Sequence, residues 1–318
     1  MGMILDTIHG PADVKRLSIE ELETLAQEIR EELITVLSET GGHLGPNLGI
    51  VEVTLAMHYV FDSPKDRFIM DVSHQSYVHK ILTGRRDLVK RMRKFGGACG
   101  FLYRFESEHD HHGAGHAGTG LSVALGMATA RDMRGTKENI IALFGDAALT
   151  CGVSFEALNN ITHCTKKFIG ILNDNKWSIS KNVGAISNYL NKIITHPYYN
   201  ALHKKTTDAL QKLHLGDVIK LEKKAEVAVK GLIVPSSLFE EMGLHYFGPI
   251  DGHNLKDLIH MFQFAKAAEW PVVLHVLTTK GKGYEPALAR PEPFHGCGPY
   301  DIKTGEFKTS NAPDAWNK

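Results

Sequence analysis

Apolar residues recur along the chain with two spacings, one typical of helices and one typical of buried strands. Between Ser18 and Gly41 they fall three and four residues apart, which predicts an amphipathic helix. Ser18 and Glu21 form a capping-box pattern at its start, and the Gly41-Gly42 pair can end it. The apolar positions of this helix are Leu22, Leu25, Ile29, Leu33, Val36 and Leu37.

Short, continuous apolar runs predict strands that are buried on both faces of a parallel sheet. These runs cover residues 68–72, 140–144, 168–172 and 272–277. A helical segment at 152–162 separates the second run from the third, and a strand, a helix and a strand within about 30 residues form a βαβ unit. The sequence therefore predicts an α/β fold, a doubly wound and mostly parallel sheet flanked by helices, with ligands beyond the carboxyl ends of the strands.

We expect residues 1–318 to form a single domain with two irregular parts. Periodicity weakens over residues 181–235, which suits a mobile excursion, and residues 299–318 follow a run of prolines and suit a tail or linker. The chain carries 36 basic and 36 acidic residues, so charge gives no reason to expect nucleic acid or a membrane as a partner. Without a signal-peptide pattern, an apolar span or a CxxC pair, the expected location is cytoplasmic.

Polar residues follow two successive predicted strands at the point where each ends. Gly145 and Asp146 come after the first, and residues 173–175, ending in Asn175, come after the second. A right-handed crossover places both at one edge of the sheet. A carboxylate and an amide oxygen suit Mg²⁺ that also keeps oxygen ligands from a phosphorylated cofactor. The alternative is that both motifs are ordinary turn residues.

A glycine-rich stretch and a group of histidines allow further hypotheses. Residues 113–118 match GxGxxG, but no buried strand precedes them, so a nicotinamide-dependent oxidoreductase is the alternative that we rank last. A glycine-rich backbone that enters a helix can still contact a phosphate, and this hypothesis is kept. A zinc site is a minor alternative, since no cysteine or spaced carboxylate completes it. Its histidines would be His109, His111, His112 and His116. Other histidines, His43, His74, His79 and His295, lie in loops, where proton transfer is one role open to them.

Taken together, these motifs resemble the N-terminal part of the 1-deoxy-D-xylulose-5-phosphate synthase family, in the transketolase-like group of thiamine diphosphate enzymes. The resemblance runs from Leu17 to Phe307 and implies the domain that grips the cofactor's diphosphate. Its carriers are the segments 41–44, 71–75, 79–87, 145–146 with 173–175, 155–160, 248–253, 280–286 and 294–295.

The resemblance also implies roles for individual residues. Asp146, Asn175 and the backbone carbonyl of Trp177 match Mg²⁺ ligands, and His43, His74 and His295 match histidines that handle protons or substrate. Positions that match cofactor contacts are His74, Gly115, His116, Ala117, Gly145, Ala147, Ala148, Asn175 and Tyr284. The family reaction decarboxylates pyruvate on thiamine diphosphate and joins the two-carbon unit to glyceraldehyde 3-phosphate, with the protein orienting the cofactor and moving protons.

The chain departs from the family pattern at several of these positions and in length. Ser73 and Ala147 stand where the family has glycine, Ala117 and Gly118 replace serines, and Lys176-Trp177 replaces Glu-Met. We expect the domain that grips the aminopyrimidine and the C-terminal domain to be absent. A partner subunit is therefore expected to complete the site of a split synthase, unless the sequence is part of a longer chain. The rival hypothesis is a non-catalytic or regulatory subunit with a decayed cofactor site.

Overall fold

The predicted apolar runs form strands of one parallel sheet. The computed structural model describes residues 2–180, 182–195 and 238–308. Within them, five strands pair in the order β1-β2-β3-β5-β4, all in parallel. Their bounds are β1 Arg67–Met70, β2 Ile140–Gly145, β3 Ile169–Asp174, β4 His245–Asp251 and β5 Val272–Leu277. The predicted α/β fold is confirmed.

Strand β4 is the one that the sequence pattern did not predict. Its residues include Gly248 and Pro249, both of which are depleted in strands. The strand lies at the edge of the sheet, where proline is tolerated, and the pairing with β5 shifts register between Phe247 and Ile250. Gly248 and Pro249 therefore hid the sequence pattern of a strand, because an edge strand can accommodate them whereas a central strand would not.

Helices cover both faces of the sheet. The predicted helix after Ser18 runs over Ile19–Thr40, with the Ser18–Glu21 capping box formed and Gly41 left-handed at its end, with a φ of 69°. The helices are α1 Pro11–Val14, α2 Ile19–Thr40, α3 Leu44–Gly49, α4 Val51–Val60, α5 Tyr77–Lys80, α6 Arg86–Val89, α7 Gly120–Arg134, α8 Gly152–Cys164, α9 Ala185–Thr195, α10 Leu238–Glu241, α11 Leu255–Ala267 and α12 Glu285–Ala289. Short 3₁₀ turns at Ile4–Thr7 and Asp146–Thr150 and a π turn at Ile81–Arg85 complete them.

Alternate residues of each strand pack into two separate apolar layers. In β2, Ile141 and Leu143 join the core formed with α2, α4 and α11, while Ala142 and Phe144 join the core formed with α7 and α8. This is the burial on both faces that continuous apolar strands require. All five strands consequently present their carboxyl ends to one side, where the loops discussed below meet.

The two irregular parts differ in how far they can be followed. Residues 181 and 196–237 lie outside the described residues, and with them most of the predicted excursion, whose described part includes α9. Residues 299–308 pack on the domain: Tyr300 is fully buried, and its hydroxyl donates to the carbonyl of Ile34 at 2.6 Å. The predicted tail therefore does not begin at residue 299, and residues 309–318 lie outside the description. No described helix has the length and apolar character needed to cross a membrane.

Candidate active site

The predicted metal ligands lie at neighbouring strand ends. Gly145 pairs with Asn173 where β2 and β3 run side by side, so Asp146 and Asn175 follow at the same edge of the sheet. Asp146 is buried, and the Asn182 amide donates to its Oδ2 at 2.6 Å. The Asn175 Oδ1 accepts the backbone N–H of Trp177 at 2.9 Å. The edge predicted from the sequence is therefore present, with Asn175 folded against its own turn.

A second carboxylate, Asp174, lies behind this edge and is held by a chain of side chains that crosses three strands. The hydroxyl of Tyr246 in β4 contacts Nδ1 of His275 in β5, and Nε2 of His275 lies 3.0 Å from Oδ2 of Asp174 in β3. Asp174 in turn accepts a hydrogen bond from the backbone N–H of Lys176 at 3.0 Å. Lys176 has a left-handed backbone with a φ of 63°. This relay fixes the turn that carries Asn175 and Trp177.

The pKa values of the two neighbouring carboxylates shift in opposite directions. Burial and the charge of Asp174 raise the pKa of Asp146 to about 8. Burial would also raise the pKa of Asp174, but the hydrogen bond and charge of His275 outweigh it and lower that pKa. Each buried carboxylate disfavours a charge on the other, so the pair is stabilised when a proton or a cation is shared at Asp146.

The donor set at this edge fits Mg²⁺ better than it fits a metal held by the protein alone. Among the described residues, no group of three or more His, Cys, Asp or Glu side chains could hold a metal ion. A carboxylate at Asp146, an amide oxygen at Asn175 and a backbone carbonyl at Trp177 are hard oxygen ligands, and Mg²⁺ commonly takes few of these and completes its shell with water and phosphate oxygens. The residues present therefore fit a Mg²⁺ that arrives with a diphosphate.

The three histidines predicted to be catalytic form a cluster beside this edge. The ring centroids lie 5.3 Å apart for His43 and His74, 5.2 Å for His74 and His295, and 5.9 Å for His43 and His295. Nδ1 of His74 and Nδ1 of His295 are buried without a hydrogen-bond partner. Buried polar atoms without partners are uncommon, and each calls for an explanation such as a bound group.

All three histidines are held in the neutral form. Burial, Arg93 and His295 together lower the pKa of His43 to about 3, and burial with the charge of Lys280 lowers the pKa of His295 to about 4. Burial lowers the pKa of His74 as well. At neutral pH each ring of the cluster is therefore uncharged and has one donor nitrogen and one acceptor nitrogen.

Asn47 joins the loops that carry these histidines, although the sequence analysis did not single it out. Its amide nitrogen donates to the carbonyls of His43 and His74, at 2.7 and 2.8 Å, and its Oδ1 accepts the backbone N–H of Tyr77 at 2.9 Å. His295 is attached to the same frame, because Gly42 and Cys297 exchange two backbone hydrogen bonds of 2.8 Å. Asn47 is fully buried. The sequence signal for this role was a lone asparagine within an otherwise apolar segment, because a buried polar side chain needs hydrogen-bond partners.

Lys280 connects the histidine cluster with the metal edge and was also missed as a site residue. Its ammonium donates to the carbonyl of Ser178 at 2.9 Å and lies 5.7 Å from the centroid of the Trp177 ring. Burial lowers its pKa to about 8, against the opposing charges of Glu292 and Asp146. A lysine in this position supplies a donor and a positive charge between the two halves of the site.

The glycine-rich segment is placed next to the metal edge, but the helix that follows it is already capped. The carboxylate of Asp71 accepts the backbone N–H groups of Gly118 and Gly120, at 3.0 and 2.8 Å. The expectation of a phosphate at this helix N-terminus is therefore wrong for these two N–H groups. No strand directly precedes the segment, and Gly115, His116 and Ala117 are exposed. They adjoin Cys151, the residue before α8, through Gly118.

Among the predicted cofactor contacts, Ala147 and Ala148 lie in the 3₁₀ turn that begins at Asp146, but Tyr284 lies elsewhere. The Tyr284 ring packs against Phe294 and Tyr300, and its hydroxyl donates to the carbonyl of Ile302 at 2.9 Å. The ring and hydroxyl of Tyr284 thus pack the C-terminal segment, and its contact with a cofactor stays a prediction.

Histidines of the minor zinc hypothesis have structural partners instead. Nδ1 of His109 contacts the Ser63 hydroxyl at 2.8 Å, and His111 bonds the carbonyl of Pro64 and the N–H of Phe68. His116 is exposed on the glycine-rich segment. These contacts anchor the segment after residue 105 to the start of β1.

Comparison with solved structures gives the class of the fold. The structure of transketolase from Campylobacter jejuni superimposes with a TM-score of 0.63 at 20% identity, over 88% of this chain and 41% of that chain. Transketolase from Leishmania mexicana gives a TM-score of 0.61 at 20% identity, over 91% of this chain and 43% of that chain. The fold is therefore that of the transketolase-like α/β domain.

Comparison of sequences gives the family. The sequence profile of the 1-deoxy-D-xylulose-5-phosphate synthase family matches residues 5–278. The chain is 58% identical over 310 residues to 1-deoxy-D-xylulose-5-phosphate synthase of Methylacidiphilum infernorum, and 55% identical over 313 residues to that of Acidobacterium capsulatum. The chain belongs to this family, as the resemblance of its motifs predicted. Both matches cover 98% of this chain, but they cover only about half of each relative, 49% and 50%.

Proposed function

We propose that this chain is the diphosphate-gripping half of a thiamine diphosphate-dependent synthase. The reaction would transfer a two-carbon unit from a 2-oxo acid or ketose donor to an aldehyde acceptor. The observation that carries the proposal is the meeting, at one edge of the sheet, of the Asp146–Asn175 pair and the cluster of His43, His74 and His295. Family membership supports the same chemistry.

The residues divide the work between holding the cofactor and handling protons. Asp146, Asn175 and the Trp177 carbonyl would hold Mg²⁺ against the diphosphate. When bound, thiamine diphosphate supplies the carbon nucleophile that the protein lacks. The neutral rings of His74 and His295 present free Nδ1 atoms, and Lys280 adds a cation beside them. These groups would orient the reacting oxygens and exchange protons with them.

A partner that carries the other half of the site is part of this proposal. The chain spans about half the length of its relatives, and cofactor sites commonly form at domain interfaces. Four large apolar side chains are exposed on segments that border the site, which suits coverage by another protein surface. These are Phe95, Phe105, Ile179 and Val183.

Calorimetry tests the proposal directly. Thiamine diphosphate is titrated into the chain with and without Mg²⁺, alone and with a protein that supplies the pyrimidine-gripping domain. We expect Mg²⁺-dependent binding in at least the second mixture, and we expect Asp146→Ala to abolish it. Glu156→Gln, which changes an exposed carboxylate on α8, is the matched control and retains binding.

Two outcomes would contradict the proposal. Binding that is absent in both mixtures would remove the cofactor role, and binding that does not depend on Mg²⁺ would remove the metal site. Binding that survives Asp146→Ala would remove the metal site and favour the rival hypothesis of a regulatory subunit with a decayed site.

A further inference from the structure

Arg93 reaches the histidine cluster from a loop that the sequence analysis did not connect with it. The residue is left-handed, with a φ of 61°, and its N–H donates to the carbonyl of Ala98 at 2.9 Å. Its side chain crosses Gly100, where an added Cβ would lie 2.7 Å from Nε. The guanidinium Nη2 ends 3.2 Å from Nδ1 of His43.

This contact specifies which nitrogen of His43 carries the proton. A guanidinium has only donors, so the atom that faces it has to accept. We propose that Arg93 is a positioning residue that fixes His43 in the tautomer protonated on Nε2, making its free edge a hydrogen-bond donor to an oxygen of the substrate. The inference rests on the proposed function only for the identity of that oxygen.

Tyr77 is compatible with the same tautomer but does not select it. Its hydroxyl oxygen lies 3.2 Å from the backbone N–H of His43, which it accepts, and 3.2 Å from Nδ1. The hydroxyl proton is then free to point at Nδ1. With the other tautomer the same hydroxyl would accept from Nδ1–H, so the choice between the two tautomers falls to Arg93.

No described neighbour of His43 favours the imidazolium form. The rings around it are those of His74, Tyr77, Phe101 and His295. The charged and titratable groups that act on it are Arg93 and His295, and both lower its pKa, as burial does. His43 therefore stays neutral, and a proton could be added at Nδ1 only by breaking the contact with Arg93.

The consequence is a division of labour within the cluster. His74 and His295 leave their Nδ1 atoms without partners, whereas His43 has Nδ1 engaged and Nε2 on the side of Gly296. His43 can donate a hydrogen bond from Nε2 to a carbonyl or alkoxide oxygen. It is not poised to take a proton from one.

Nitrogen-15 NMR of the histidine rings in the 318-residue chain tests the inference without cofactor or partner. The ring shifts distinguish a protonated from an unprotonated nitrogen, and His43→Asn assigns the signals. Four variants are compared: Arg93→Met removes the donor, Arg93→Lys keeps a cation, Gly100→Ala blocks the path of the Arg93 side chain, and Lys94→Met removes a neighbouring exposed cation as the control.

In the wild type we expect Nδ1 of His43 to be unprotonated. Because a charged hydrogen bond is lost, Arg93→Met and Gly100→Ala should each shift the tautomer ratio by about tenfold or more toward the Nδ1–H form. Arg93→Lys should restore most of the wild-type ratio, and Lys94→Met should leave it unchanged. Should Arg93→Met fail to fold, Gly100→Ala, whose backbone suits alanine, carries the test.

A protonated Nδ1 in the wild type would overturn the inference, and so would a ratio unchanged by both Arg93→Met and Gly100→Ala. The result is separable from that of the calorimetry. Failure of Mg²⁺-dependent cofactor binding leaves the tautomer measurement intact, and an unexpected tautomer leaves the cofactor site intact.

Discussion

Replacing Asn47 tests whether one buried amide holds the histidine loops together. Asn47→Ala removes three hydrogen bonds and leaves the carbonyls of His43 and His74 and the N–H of Tyr77 without that partner. Leaving a buried polar group unpaired costs about 1 to 3 kcal/mol. Since the side chain is fully buried and water can reach some of the freed groups, we expect a loss of about 3 to 5 kcal/mol in the free energy of unfolding.

Urea unfolding followed by circular dichroism measures this loss. With a slope of about 3 kcal/mol per molar, the midpoint should fall by about 1 M or more at an unchanged slope. Thr54→Val is the matched control, because Thr54 is also fully buried but bonds only the Ile50 carbonyl within its own helical region. Its expected cost is below about 1 kcal/mol.

Asn47→Asp sharpens the test, because it preserves shape and removes only the donors. A carboxylate would face two carbonyl oxygens, so the variant should be at least as unstable as Asn47→Ala near neutral pH. If Asn47→Ala cost no more than Thr54→Val, the brace would not hold the loops, and the positions of His43 and His74 would need another explanation.

Two further predictions concern the polar contacts of Asp110 and of Ser73. Burial alone would raise the pKa of Asp110, but the nearby His79 ring and two hydrogen bonds from Arg85 hold it well below 3.8. The stability this supplies is present above about pH 4 and is lost as pH falls below that value; Asp110→Asn should therefore cost about 3 to 5 kcal/mol at pH 7 and flatten the acid limb of the unfolding profile. Ser73, left-handed with a φ of 63°, accepts the N–H of Leu102 at 2.9 Å. Ser73→Ala loses that bond and keeps the strain, so it should be less stable in urea than Ser73→Gly by about 1 kcal/mol, and equal midpoints would refute this balance.

Local patterns were sufficient to predict the sheet edge. Asp146 and Asn175 each follow an apolar run closely, and the parallel pairing of β2 and β3 places the ends of both runs at one edge of the sheet. The same reasoning failed for β4, where Gly248 and Pro249 mask an edge strand. The three histidines came from family resemblance, because nothing local distinguishes their loops from others.

Residues that depend on distant partners could not be predicted. Arg93 meets His43 from a position 50 residues away, and Asn47 meets the carbonyl of His74 from 27 residues away. In the sequence, Arg93 is one of several cations in an irregular segment. Its special position comes from a left-handed backbone and from the missing side chain of Gly100, and neither reveals which residue lies opposite.

The two halves of the site differ in how nearly they are ready to bind. The histidine cluster is already held in place, because Asn47 joins its loops and both Arg93 and Tyr77 contact Nδ1 of His43. At the metal edge, burial and the charge of Asp174 raise the pKa of Asp146, which also accepts a hydrogen bond from Asn182, and Asn175 is bonded to its own turn. A cation competes with a proton for the Asp146 carboxylate, so we expect its binding to strengthen as pH rises. We therefore expect a bound cation to replace the hydrogen bonds that Asn175 and Asn182 make, and to leave those of Asn47 in place.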